Sequence, residues 1–478
     1  MAEPGDMNLG LETIKGLAGK MAQAATGFAG VVVFARVLGP TSFGGFYFLL
    51  TLVFVADRPM RGAAQALRKR YSETDADKRE LFGTVLLVDL ALWAVAAVGV
   101  WLFGEQLTTQ TNVPNAPLVF FELILAVSLF FPVQQMLAAE GWVSKQTWND
   151  TLRSLLTLPL QLGFVLLGFG AAGMGYGLAG ATVLVVPVAL YFTRVRPTLP
   201  SRETLRSMWE YARYSVPIAV LGKTYSQLDI LLLGALVTTG AVGNYKIAFQ
   251  LTVPASFLYG VVASGFMPKI SNRHSKGRPI NEDVSNAVSF VSLLSVPIFF
   301  GALALPEALV VTLFGEQYAS AELFLVGLAL YQVSRSQAVV QRKTLNGIDR
   351  PDIGLRVDAA ALALNVVLGV WLVLTHGPVG VVVATVIAET VRYAGAAYYV
   401  SRLVDGVTFL PRTLFEQVVA GVAMFAVVEL VSTYVGITSW VWLSLVVAVG
   451  AAVYGLVLVT ISPQVRTTTR AVYQDAAN

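Results

Sequence analysis

Fourteen long apolar blocks follow one another along 478 residues, one about every 34 residues. A helix needs roughly 20 apolar residues to cross the hydrocarbon of a bilayer. In lipid, only helices and closed barrels satisfy their own backbone N–H and C=O groups. The blocks lie at 14–38, 44–67, 81–103, 118–139, 150–170, 176–193, 210–236, 243–267, 284–305, 320–341, 353–374, 378–400, 412–433 and 438–461. Charged residues make up 13% of the chain and hydrophobic ones 56%, whereas soluble domains carry about 25% charge. So little polar surface predicts an all-α, polytopic membrane protein with 14 transmembrane helices.

The loops set the orientation. With a cytoplasmic N-terminus, the odd-numbered loops fall near 39–43, 104–117, 171–175, 237–242, 306–319, 375–377 and 434–437, and none holds a Lys or Arg. The opposite loops hold Arg68, Lys69, Arg70, Lys78, Arg79, Lys145, Arg194, Arg196, Arg202, Arg206, Lys269, Arg273, Lys276, Arg278, Arg342, Lys343, Arg350, Arg402 and Arg412. This positive-inside pattern predicts cytoplasmic N- and C-termini. Met1 to Gly10 is polar and short, unlike a cleaved signal peptide. No Cys is present, and His274 and His376 lie far apart. Disulfides, thiolate catalysis and a histidine metal cluster are therefore not expected.

The segment Phe34–Leu50 recurs in weaker form. A helix ends at Leu38-Gly39-Pro40, where Gly39 can take positive φ and Pro40 cannot continue a helix. Gly44 and Gly45 allow close helix packing in lipid. Two hundred residues on, Leu231-Leu232-Leu233-Gly234 ends a helix and Ala241-Val242-Gly243-Asn244-Tyr245 opens the next. Leu137-Ala138-Ala139-Glu140-Gly141 is echoed by Thr344-Leu345-Asn346-Gly347. Duplicated halves follow, divided at 1–200, 201–405 and 406–478. The divider, Arg194 to Arg206, offers Ser201 as a helix cap and an interfacial helix beyond it. Spans five and six are joined by a Gly-rich turn, Gly168 to Gly180. Pro217 and Pro254 flank the second hairpin and are the better hinge candidates.

Across the whole chain these features resemble the multidrug/oligosaccharidyl-lipid/polysaccharide exporter superfamily, and within it the polysaccharide-type flippases of the Wzx kind. The matching motifs are Ala35-Arg36-Val37-Leu38-Gly39-Pro40 with Phe43-Gly44, Asp229 before Leu231-Leu232-Leu233-Gly234, Val242-Gly243-Asn244-Tyr245 with Ala248, and Phe314-Gly315-Glu316-Gln317-Tyr318. The resemblance implies two pseudo-symmetric six-helix lobes around a central cavity plus two C-terminal helices. It also implies movement of a polyprenyl-(di)phosphate-linked oligosaccharide from the cytoplasmic to the outer leaflet by alternating access. No cofactor is implied beyond a coupling Na+ or H+. The implied partners are the lipid-linked oligosaccharide, membrane lipids and other glycan-assembly proteins, with no nucleic acid.

A charge inside a span is costly unless paired or wetted, so each is a functional candidate. Arg58, Arg61, Lys223 and Arg335 are the candidates for holding the lipid phosphate; Lys20 and Lys246 also fall within spans. Arginine offers a planar fork and lysine a point charge. Arg58 and Lys223 could face each other across the cavity. The bland alternative is local pairing: Asp57 with Arg61, four apart, and Glu389 with Arg392, three apart. Asp229 and Lys223 are six apart, on different faces of one helix. Some superfamily members hold an ion between spans seven, eleven and twelve. Asp229, Asn365, Thr385 and Glu389 are the oxygen-bearing residues that would serve here.

Other functions leave different marks. A drug/cation antiporter of the same superfamily suits cationic cargo, whereas the cations here suit an anion. A membrane glycosyltransferase would need a metal-binding acidic motif at a membrane face; Asp75-x-Asp77 reads as a solvated loop. A non-transporting component of glycan assembly would have no use for charges in its spans.

Overall fold

The computed structural model describes residues 9–73, 76–437 and 439–467, with side chains from Thr26 onward except those of Val143 and Ile218. The sequence candidate Lys20, and Asp75 of the acidic loop, lie outside the described side chains. Among the described residues every regular element is a helix. In order these are α1 (Leu9–Ala56), α2 (Arg58–Tyr71), α3 (Lys78–Thr111), α4 (Ala116–Ala139), α5 (Val143–Phe164), α6 (Gly170–Thr193), α7 (Arg202–Ser226), α8 (Leu228–Leu236) and α9 (Thr239–Thr252). There follow α10 (Ala255–Ser275), α11 (Asn281–Phe290), α12 (Ser295–Ala304), α13 (Pro306–Phe314), α14 (Glu322–Gly347), α15 (Pro351–His376), α16 (Val379–Leu403), α17 (Arg412–Val435) and α18 (Trp440–Ile461). Among the described residues ten helices are long and apolar enough to cross a membrane, and two bent pairs, α7 with α8 and α9 with α10, reach that length together. The chain is a multi-pass helical membrane protein. It forms two compact units, Met1–Gly243 and Asn244–Asn478.

In the first unit the two hairpin motifs meet. Gly39 takes φ 71°, and the chain turns there between two helical stretches of α1. Beyond it, a Cβ on Gly44 would overlap the carbonyl oxygen of Thr239. Only glycine admits that approach, which stitches α1 to the start of α9. Gly234 does not end its helix as expected; α8 runs on to Leu236. A Cβ at Gly234 would instead overlap the Phe48 ring. Thr238 Oγ1 accepts from Ala241 N (3.2 Å), capping α9.

Three sequence expectations are corrected. The turn between spans five and six is shorter than expected: it falls at Gly168 (φ 92°) and Gly170 (φ 55°) and does not extend to Gly180. The glycines from 173 onward sit inside α6, where Gly173 and Gly177 let α5 approach and Gly175 makes room for Val119 of α4. The interfacial helix after Ser201 is the start of α7, which continues to Ser226. Ser201 caps it, accepting from Thr204 N (3.2 Å), while Glu80 of α3 accepts from Ser201 Oγ (2.7 Å) and Thr204 Oγ1 (2.6 Å). That network holds the α7 N-terminus to α3. Finally, Pro217 lies within α7 without breaking it. The 65° bend falls ten residues later, at Gln227. Pro254 does stand at a break, a 62° bend between α9 and α10.

In the second unit, Ala420, Met424 and Val428 of α17 pack against Leu443, Val446 and Tyr454 of α18. A buried polar seam crosses the helix break between α11 and α12. There Ser292 Oγ donates to Gln417 Oε1 (2.9 Å), and Gln417 Nε2 donates to the Ser289 carbonyl (2.6 Å). In lipid such side chains satisfy the backbone groups that a helix break frees.

Candidate functional site

The second half of the first hairpin is not one straight helix. Pro59 has no N–H to offer the Val55 carbonyl, so the helix breaks at Asp57. Helical spacing puts a carboxylate and two guanidiniums within one turn there. Arg58 Nε donates to Asp57 Oδ1 (2.9 Å) and to the Phe54 carbonyl (2.8 Å), covering an acceptor at the end of α1. Arg61 Nε donates to Asp57 Oδ2 (2.7 Å), and its guanidinium lies 4.2 Å from the centre of the Phe131 ring. Asp57 has no exposed surface, while the Arg58 and Arg61 side chains keep 16% and 19% of theirs. The pairing of Asp57 with Arg61 is as expected; Arg58 as its second arm is not foreseen by spacing.

Lys223 joins the same group. Its ammonium lies 4.7 Å from the centre of the Phe54 ring, the residue whose carbonyl Arg58 engages. The approach of α7 to α2 follows from Gly62, where a Cβ would overlap Val216. Arg58, Arg61 and Lys223 thus gather round Asp57 inside the first unit. Three positive charges against one negative leave +2. The guanidiniums are oriented by Asp57 and retain free N–H groups, which suits bidentate contact with phosphate oxygens.

Arg335, the fourth cationic candidate, lies in the second unit. Its Nη1 donates to the Tyr331 hydroxyl (2.7 Å), one turn back on α14. On α16, Glu389 is buried and pairs with Arg392 Nη1 (3.0 Å), the local pair that their spacing predicts. Arg392 also reaches Asp358 of α15 (3.6 Å). One turn before Glu389, Thr385 Oγ1 donates to Asn365 Oδ1 at 3.5 Å. Asn365, Thr385 and Glu389 therefore share the α15–α16 contact. Asp229 is buried in the first turn of α8, in the first unit. The helix-face argument separating it from Lys223 does not hold, because the helix breaks between them at Gln227. Lys246 is half-buried on α9, and Arg36 is exposed near the kink of α1.

Asp89 of α3 is missing from the sequence candidates. It has no exposed surface, and neither carboxylate oxygen accepts a hydrogen bond. One turn on, Trp93 Nε1 donates to Ser128 Oγ (2.8 Å) of α4, so this face of α3 packs on α4. An acid inside the span 81–103 is visible in the sequence. Its lack of partners is not, because that depends on which residues α4 and α2 bring opposite.

The family described as polysaccharide biosynthesis protein matches residues 33–323 of this chain. The Probable low-salt glycan biosynthesis flippase Agl15 of Haloferax volcanii is 26% identical over 465 residues, 96% of this chain and 97% of that protein. The Probable flippase AglR of the same organism is 25% identical over 450 residues, 92% and 94% of the two chains. Among solved structures, an inward closed conformation of the lipid II flippase MurJ superposes with a TM-score of 0.75 at 15% identity, covering 97% of this chain and all of that one. That likeness shows a shared fold. The chain belongs to the polysaccharide biosynthesis protein family.

Proposed function

We propose that this chain is a flippase that moves a polyprenyl-(di)phosphate-linked oligosaccharide from the cytoplasmic to the outer leaflet of the cell membrane by alternating access. The observation that carries the reading is the +2 cluster of Arg58, Arg61 and Lys223 around buried Asp57. A phosphate cannot cross a dry bilayer at an acceptable rate, and oriented cations lower that barrier. The relatives from Haloferax volcanii are named flippases, which supports the same class.

The architecture proposed with it has 14 spans in two six-helix lobes, 1–200 and 201–405, with 406–478 adding two helices and a cytoplasmic tail. The kink at Gly39, the turn at Gly168 and the two bent pairs support that count. Arg335 is kept as a second phosphate contact. The coupling ion, Na+ or H+, is proposed to act on Asp229, Asn365, Thr385 and Glu389. The Thr385–Asn365 contact supports part of that set. An acid that responds to Na+ would lose the ion-dependent rise in melting temperature in Glu389→Gln or Asp229→Asn. Equal shifts in wild type and both variants would remove the coupling reading.

Deletion of the gene tests the function. Lipid-linked glycan should accumulate in the membrane while the surface glycan falls. Unchanged surface glycan with no accumulating lipid would reject the flippase reading.

A further inference from the structure

Asp89 interrupts an apolar stripe of α3. Phe82, Val85, Asp89, Leu92 and Ala96 follow one another at spacings of three and four, so they share one face of the helix. Phe82 and Val85 belong to a buried cluster with Ala66 and Leu67 of α2 and Met136 of α4. Leu92 and Ala96 line an apolar cavity of about 540 Å³ with Met60 of α2 and Ile124 of α4. Asp89 therefore sits where close packing ends and the cavity begins. Its carboxyl group has no exposed surface, and among the described residues neither oxygen has a hydrogen-bond partner. The Trp93–Ser128 bond fixes the register of α3 against α4, which runs antiparallel to it, so Pro132 comes opposite Asp89 one turn along. Pro132 brings no N–H and leaves the Ser128 carbonyl without its helical donor. A bare carbonyl oxygen repels a carboxylate and suits the O–H of a carboxylic acid.

Charged groups on the surrounding helices turn elsewhere. On α2, Arg58 and Arg61 hold Asp57, and Arg68, Lys69 and Arg70 lie in the last turn. Arg36 of α1 is exposed, Lys223 of α7 lies over the Phe54 ring, and Asp229 stands in the first turn of α8. Glu122 is about three turns from Pro132 on α4, and Glu140 beyond it pairs with Lys78. None of these bonds to Asp89. We infer that Asp89 is a proton site. In this packed state it is a neutral carboxylic acid, because a carboxylate with neither water nor a donor is far costlier to bury. The proton passes to water when α3 parts from α4 and returns when the helices close; no other bond changes. The cavity beside Leu92 leaves the seam already unfilled on one side of Asp89, so little packing is lost on parting. The use of that proton rests on the flippase reading above: loading and unloading at Asp89 accompany the passage of the lipid-linked glycan.

Infrared spectra of the full purified chain in lipid vesicles, wild type against Asp89→Asn, read the proton directly. At neutral pH the wild type should show the C=O stretch of a neutral carboxyl group that the variant lacks. The folded chain then holds a proton that the unfolded chain releases. Raising the pH from mildly acid to mildly alkaline should therefore lower the melting temperature of wild type more than that of Asp89→Asn. A spectrum that loses no carboxyl band in the variant, or melting temperatures that run parallel with pH, would overturn the proton site. In a deletion strain, Asp89→Asn at normal protein level should fail to restore surface glycan, while Asp89→Glu, which can still carry the proton, should restore part of it. Full restoration by Asp89→Asn would overturn the link between the proton and transport. Unchanged surface glycan in the deletion strain itself would instead reject the flippase reading, and the infrared result would still decide the proton site.

Discussion

Asp57 and Asp89 are both acids without exposed surface in the first unit, and they stand in opposite situations. Asp57 receives hydrogen bonds from Arg58 and Arg61, so removing it strands two guanidiniums. Breaking a buried pair from one side costs about 3–5 kcal/mol. Asp57→Asn should therefore lower the melting temperature sharply, and a variant as stable as wild type would show that the clamp does not bear on folding. Asp89 has no such partners. Asp89→Leu removes an unsatisfied acceptor and should leave stability unchanged or raise it by about 1–3 kcal/mol. Groups held at such a disadvantage tend to serve function, so the same variant should be assayed for glycan transport. A destabilised Asp89→Leu would contradict the picture of an unpartnered acid. At Arg58 the fork geometry matters as well as the charge. Arg58→Lys should keep part of the transport that Arg58→Ala loses, measured at matched protein levels.

Helices in this protein are shaped by where they break. Hydropathy marks the apolar stretches well, because the bilayer imposes length and composition. It does not register a break within one. Pro59 and Pro254 do break their helices, whereas Pro132, Pro159, Pro187 and Pro217 sit inside continuous ones. The first hairpin is legible because Gly39 and Gly44 act through the backbone. The cluster is half legible: sequence marks the cations and the Asp57–Arg61 spacing, but the contact of α7 with α2 decides that Lys223 joins them. Gly44→Leu should disrupt the contact with Thr239 and lower the yield of folded protein, since overpacking costs about 1–3 kcal/mol or more. Equal yield and melting temperature would show that the two hairpins can separate freely.

Just beyond α4, Glu140 is held below the usual carboxylate range, chiefly by the hydrogen bond from Lys78 Nζ (2.6 Å). A carboxyl whose folded value is depressed stabilises the fold above its unfolded value. That contribution fades as pH falls through the folded value. Glu140→Gln should therefore lower the melting temperature slightly at neutral pH, by an amount that shrinks in acid. A difference that is the same at neutral pH and in acid would exclude Lys78 as the cause.

For the whole molecule, the asymmetry of Lys and Arg among the loops predicts an orientation that can be measured directly. The native chain has no Cys, so Thr109→Cys and Ser275→Cys report one position each. An impermeant thiol reagent added to intact cells should label the first and spare the second; the reverse would invert the topology. In the proposed function, Arg58 and Lys223 hold the phosphate of the travelling lipid. The most direct measurement is surface glycan in a deletion strain carrying the double variant Arg58→Ala with Lys223→Ala, at normal protein level. Surface glycan should stay near the deletion level in the double variant, while Arg402→Ala in the last turn of α16 restores it; full recovery with the double variant would remove Arg58 and Lys223 as the phosphate site.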